Sequence, residues 1–143
     1  MTNITELANE LQEITSWQRT PEVLSVEDYQ KMIVSGIKTL FIDTGRAHSY
    51  SSDMVHVGDD SDDLYFEYDL PIDEEKYVLL VAQIAFFKKV QSDVNNIVGY
   101  TTDALTVTNA DKPYAHLQDT VNSLENERRI VFYKMTNYSF YIG

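Results

Sequence analysis

The sequence predicts a mainly α protein: a small helical bundle around a long central helix, with a short extended or β insert and an extended C-terminal arm. Three observations predict it. Apolar residues recur at three- and four-residue steps over four separate stretches, the period of amphipathic helices. Between the second and third of these, residues 44–71 lose that period and collect Asp, Ser and Gly. The last residues alternate apolar and polar positions with the period of a strand. At 143 residues the chain fits one domain, divided here into a helical body, 1–135, and an arm, 136–143.

The first helix is expected over 4–18, capped by Thr2 or Asn3, with Ile4, Leu7, Leu11, Ile14 and Trp17 on one stripe. Pro21 and its neighbours break it. The second is expected over Val26–Asp43. Ser25 is a good N-cap, Glu27 and Asp28 suit the positive end of the helix dipole, and Gly45 stands where a C-terminal glycine belongs. Gly36 inside this helix costs about 1 kcal/mol against Ala, which points to close approach by a neighbouring backbone. Leu64, Phe66 and Tyr68 then read as a short strand or extended segment before Pro71.

The third helix is expected over 73–98, with Asp73 as cap and Glu74 and Glu75 in its first turn. Its first half, with Val78, Leu79, Ala82, Ala85 and Phe86 added to the main stripe, is apolar nearly all round, so it should be central and buried. A short extended piece at Leu105 and Val107 follows. The fourth helix is expected from Asp111, with Pro113 in its first turn, to about Lys134. Arg128, Arg129 and Lys134 would then sit at its negative end. In the terminal segment Tyr138, Phe140 and Ile142 alternate with Ser139 and Tyr141. An isolated strand is not stable, so this one must either add to a partner's sheet edge or pair with 64–68 of its own chain.

Charge and composition bear on function. The net charge of −12 is concentrated in the first half: residues 1–75 hold four Lys/Arg and seventeen Asp/Glu, whereas 76–143 hold seven and six. Such a surface repels nucleic acid and anionic membrane, and its two unlike poles suit head-to-tail contacts, a basic partner, or simple solubility. Ten tyrosines, half of them from Tyr100 onward, fit interfaces or half-buried helix faces. There is no cysteine, which excludes disulfides and zinc–thiolate sites. The first residues have neither the basic nor the apolar run of a leader, and the apolar stretch 77–87 is too short to span a bilayer, so the expected location is cytosolic.

No motif selects a catalyst, metal or cofactor, and the expectation is a protein that is not an enzyme. His48, His56 and His116 are scattered. Asp59, Asp60, Asp62 and Asp63 suggest a calcium loop, but counting from Asp59 places Leu64 where such a loop needs glycine and Leu70 where it needs glutamate. A solvated acidic loop with at most a weak cation site remains. The five glycines do not cluster into a phosphate loop, and the many carboxylates do not single out an acid–base pair.

Four features together resemble the head–tail connector (adaptor) proteins of long-tailed bacteriophages. They are the Ser25-capped helix through Leu40-Phe41, the irregular insert after it, the long apolar helix beginning Glu75-Lys76-Tyr77-Val78, and Leu105-Thr-Val-Thr leading into the helix with Leu124-Glu-Asn-Glu-Arg-Arg before an aromatic end. The resemblance spans about 20–143, and the helix over 4–18 has no counterpart in it. It implies a structural protein of the virion neck, assembled in the host cytoplasm. Such a protein forms a ring with neighbouring copies of itself beneath the portal protein and contacts the next neck or tail protein. DNA passes through the ring without sequence-specific binding, and no membrane is involved. Tyr138, Phe140, Tyr141 and Ile142 would dock into the portal, and the loop Gly58, Asp59, Asp60, Asp62 and Asp63 would face the channel or the next ring. The alternative from another class is a small acidic regulatory or inhibitory protein that occupies a nucleic-acid-binding site on a host protein.

Overall fold

Four α-helices and one small antiparallel sheet organise the chain, seen in a computed structural model that describes residues 1–18, 20, 23–58, 63–101 and 111–142, with side chains over 1–18, 20, 23–58, 63–93 and 116–136. The order is β1 (Thr2–Asn3), α1 (Ile4–Ile14), α2 (Val26–Asp43), β2 (Val55–Val57), β3 (Leu64–Phe66), α3 (Ile72–Thr101) and α4 (Asp111–Ile142), with two single 3₁₀ turns between α2 and β2. The mainly α bundle with a β insert is therefore the observed architecture. The extended piece expected at Leu105 and Val107 lies outside the described residues.

The helices begin where local chemistry says they should. Asn3 caps α1 by accepting from the Glu6 amide at 3.0 Å. Ser25 and Asp28 form a reciprocal capping box on α2, and Gly45 ends that helix in the left-handed region at φ +74°. α1 is shorter than the stripe predicted. Thr15 turns its hydroxyl back onto the Leu11 carbonyl at 2.7 Å, a bond that competes with helix continuation. Trp17 consequently lies past the helix end, 57% exposed, with one ring face against Phe87. α3 starts one residue earlier than expected, and the Pro71 carbonyl accepts from the Glu75 amide, so Asp73 is a first-turn residue and not the cap.

α3 is the central helix. It packs against both α2 and α4, and α1 covers α2. Val78, Phe86, Phe87 and Val90 of α3 are buried with Ile33, Ile37 and Leu40 of α2 and Leu117 and Val121 of α4. Gly36 is the point of closest approach: a Cβ there would lie 2.9 Å from the Val78 carbonyl oxygen. The sequence reading of that glycine is confirmed.

The sheet has the order β1-β3-β2, with Thr2 and Val55 both opposite Phe66. Phe66 is fully buried, and its ring meets those of Phe41, Tyr50 and Tyr68. Two threonines tie the insert to the N-terminal elements. Thr2 Oγ1 donates to the Tyr68 carbonyl and accepts from the Leu70 amide, each at 2.8 Å. Thr5 Oγ1 accepts from the Leu64 amide at 2.8 Å and from Gln30 Nε2 at 3.1 Å.

One expectation is overturned. The terminal segment is not an extended arm: α4 continues unbroken to Ile142. The segment 64–68 does not pair with it either, because β1 and β2 occupy both sides of β3. Alternation over five residues cannot hold a strand whose amides lack partners, whereas continuing the helix satisfies each of them locally. Arg128, Arg129 and Lys134 therefore sit inside α4 and not at its end. Among the described residues no helix is long and apolar enough to cross a membrane.

Candidate functional site

Two surface features combine polar chemistry with space. The first is a cluster where the end of α2, the start of α3 and the middle of α4 meet. Arg128 Nη2 donates to Asp43 Oδ2 at 2.7 Å, and its Nε donates to the Tyr77 hydroxyl at 3.0 Å. The Tyr77 hydroxyl donates to the same Asp43 oxygen. Glu125 joins from one turn before Arg128 and also pairs with Lys88 at 3.6 Å. A cavity of about 400 Å³ adjoins the cluster, bordered also by Arg129 and Phe132.

The electrostatics make this a clamp between helices. Burial first, then the hydrogen bond to Asp43, raises the Tyr77 phenol above its ordinary range against the opposing influence of Arg128, so it stays protonated at neutral pH. Burial works to lower the Arg128 guanidinium, but its bonds to Tyr77 and Asp43 outweigh that and raise it. The bonds among Asp43, Tyr77 and Arg128 tie α2, α3 and α4 together. Spacing alone did not reveal this trio. The one available signal was Asp43 itself, an acid on the last residue of a helix, where the dipole disfavours negative charge unless a cation is supplied.

The second feature is an open groove of about 1060 Å³ between the outer face of α2 and the insert. Val26, Val34, Tyr50, Val57 and Leu64 form its apolar walls, and Lys31 and Lys38 stand along α2. Among the described residues neither lysine is ion-paired.

The residues singled out from sequence are placed as follows. Gly58 and Asp63 join across the base of the β2–β3 connection, the Gly58 amide donating to the Asp63 carbonyl at 2.9 Å, and Asp63 borders the groove. Asp59, Asp60 and Asp62 lie outside the described residues. Tyr138, Phe140, Tyr141 and Ile142 belong to the last turns of α4. His48 is in a 3₁₀ turn, His56 on β2 and His116 on α4, where its ring meets Trp17 edge-on. Among the described residues no group of three or more His, Asp or Glu is placed to hold a metal ion.

Acidic side chains crowd where α1 passes the start of α3. Burial, then repulsion from Glu10 and Glu6, raises the Glu75 carboxyl above its usual range. A carboxyl raised on folding contributes most below its unfolded value and loses that contribution as pH rises through the folded value. Glu75→Gln should therefore stabilise the protein at neutral pH, by less than about 1 kcal/mol for so exposed a group, and the gain should vanish near pH 4. Thermal melts of both forms across pH 4–8 check this.

The chain matches no family model, and no curated protein or solved structure matches it.

Proposed function

We propose that this chain is a structural component of a bacteriophage neck, a non-enzymatic adaptor that oligomerises as a ring below the portal and joins head to tail around the DNA channel. The observation that supports this reading is that the charge split along the sequence falls between separate elements: the acidic excess lies in α1, α2, the insert and the first turn of α3, whereas α4 carries equal numbers of acidic and basic residues. Two unlike surfaces suit heterologous contacts, which form rings where the rotation between copies closes. In this reading the acidic loop Gly58, Asp59, Asp60, Asp62 and Asp63 faces the channel or the next ring, where it lets DNA slide. Tyr138, Phe140, Tyr141 and Ile142 dock into the portal as a helix end laid in a groove and not as an added strand.

Epitope-tagging the chain in the producing culture and blotting purified particles tests this. The tagged chain should be present at a fixed low copy number. Removal of 136–143 should leave the helical circular dichroism of the remainder intact, since Met135 is buried and Thr136 exposed, yet abolish incorporation. Normal incorporation of the truncated chain overturns the docking role. If the chain is absent from particles and instead competes with DNA for a basic host protein, the acidic-inhibitor reading takes its place.

A further inference from the structure

In the order β1-β3-β2 the strand β2 pairs on one side only. Its register fixes which groups the open side presents. The Glu67 amide donates to the Met54 carbonyl and the Gly58 amide to the Asp63 carbonyl, each at 2.9 Å. Those bonds mark Met54 with Glu67, and Gly58 with Asp63, as hydrogen-bonded pairs. Such pairs alternate with non-bonded ones along an antiparallel ladder. His56 is therefore bonded to Tyr65 of β3, and Val55 and Val57 turn their peptide groups outward. The Ser52 carbonyl takes the Val55 amide. The Val57 amide, the Val57 carbonyl and the Val55 carbonyl have no partner among the described residues. Edges of this kind are commonly blunted by Lys, Pro or a bulge, and the Val-His-Val of β2 has none of these. Its shortness is its one protection: an added strand gains three main-chain bonds here and needs side chains to hold it.

We infer that β2 accepts an extended segment of a different protein, alternating apolar and basic residues, as a fourth strand of the sheet. Residues directly opposite each other across a strand pair share a face. The segment's residue opposite Val57 therefore points toward the groove on α2. Val57 is 69% exposed there, Val34 and Tyr50 add apolar wall, and Lys31 and Lys38 exclude a cation. The residue opposite Val55 shares that face. Those between them point to the other face, beside the exposed His56. There the surrounding charge selects Lys or Arg: residues 47–71, the stretch that carries β2 and β3, hold seven Asp/Glu and no Lys or Arg. The same charge disfavours a second copy, because β2 laid against β2 would bring two such acidic stretches together. Main-chain bonds thus supply the docking geometry and the basic residues its selectivity. The contact stands whether or not the chain belongs to a virion neck.

Amide NMR spectra of the whole chain, titrated with the capped peptide Lys-Val-Lys-Val-Lys, provide the test. Shifts should centre on Val55–Val57, and exchange of the Val57 amide with water should slow. The same peptide N-methylated at both valines keeps its charges and side chains but loses the donors for the Val57 and Val55 carbonyls, so it should bind at least about tenfold more weakly. Glu-Val-Glu-Val-Glu should not bind. Val57→Pro removes the outward amide while leaving the bonds to β3, and it should weaken binding of the unmethylated peptide with circular dichroism unchanged. Should that variant fail to fold, the methylated peptide still reads the same edge. Absence of shifts at β2, equal binding of the methylated peptide, or equal binding of the glutamate peptide would each overturn the inference. Slowing of Val57 amide exchange as the protein alone is concentrated would overturn it too, giving the edge to a second copy.

Discussion

Phe66→Ala should lower unfolding stability by about 3–5 kcal/mol, the range for losing a fully buried aromatic ring. That is a large fraction of what holds a domain of this size together. Phe66 has no exposed surface, and Phe41, Tyr50 and Tyr68 all turn rings toward it at centroid distances of 5.7, 6.5 and 5.9 Å. It is also the residue through which both edge strands find register, since Thr2 and Val55 pair with it from opposite sides. Three strands of two or three residues have little intrinsic stability, so their pairing depends on this one anchor to the bundle. Urea unfolding followed by circular dichroism measures the loss. Helix content at zero denaturant should change little, because α3 and α4 pack without Phe66. Amides of β2 should lose hydrogen-exchange protection before those of α3. A loss below about 1 kcal/mol would mean that the insert does not depend on its aromatic contacts.

What the sequence carried and what it did not follows from the range of the interactions. α2 was readable to the residue because its start and end are set locally, by Ser25 with Asp28 and by Gly45. Gly36 was readable as a contact point because a glycine in a helix interior costs propensity that packing must offset. β1 was invisible: Thr2–Asn3 is too short for any period, and it exists because Phe66, more than sixty positions away, pairs with it. The Asp43–Tyr77–Arg128 clamp was hidden for the same reason, its members being 34 and 51 positions apart along the chain. Arg128 was noticed but explained by a helix end that does not fall there. The terminal segment misled for a different reason. A five-residue alternation is compatible with a strand, but α4 was already formed beside it and extending a helix costs less than nucleating a pairing.

Gly36→Val should destabilise the protein by roughly 3 kcal/mol, at the upper end of what overpacking costs. The smallest substitution shows why. Gly36→Ala improves helix propensity by about 1 kcal/mol in an exposed helix. Here its Cβ would sit 2.9 Å from the Val78 carbonyl oxygen and 3.1 Å from Val78 Cγ1. The second contact can yield by a rotamer change, but the first is backbone and yields only if α2 and α3 separate. Gly36→Ala should therefore cost stability in spite of its propensity, and Gly36→Val should cost more. Pairing Gly36→Ala with Val78→Ala separates the two causes: removing Cγ1 should recover only part of the loss, because the carbonyl stays in place. Full recovery would assign the constraint to the side chain and make the close backbone approach incidental. The wedge should also be felt at the clamp, where Tyr77 from α3 bonds to Asp43 from the end of α2. Burial is the main reason the Tyr77 phenol is raised. Parting the helices admits water, so in Gly36→Val the Tyr77 phenol should ionise at lower pH than in the wild type. A phenol raised on folding contributes stability below its unfolded value, near pH 10, and loses it as pH climbs through the folded value. The wild type should thus lose stability above about pH 10 more steeply than the variant, and alkaline spectrophotometric titration alongside melts at pH 9–11 would show whether the wedge reaches that far.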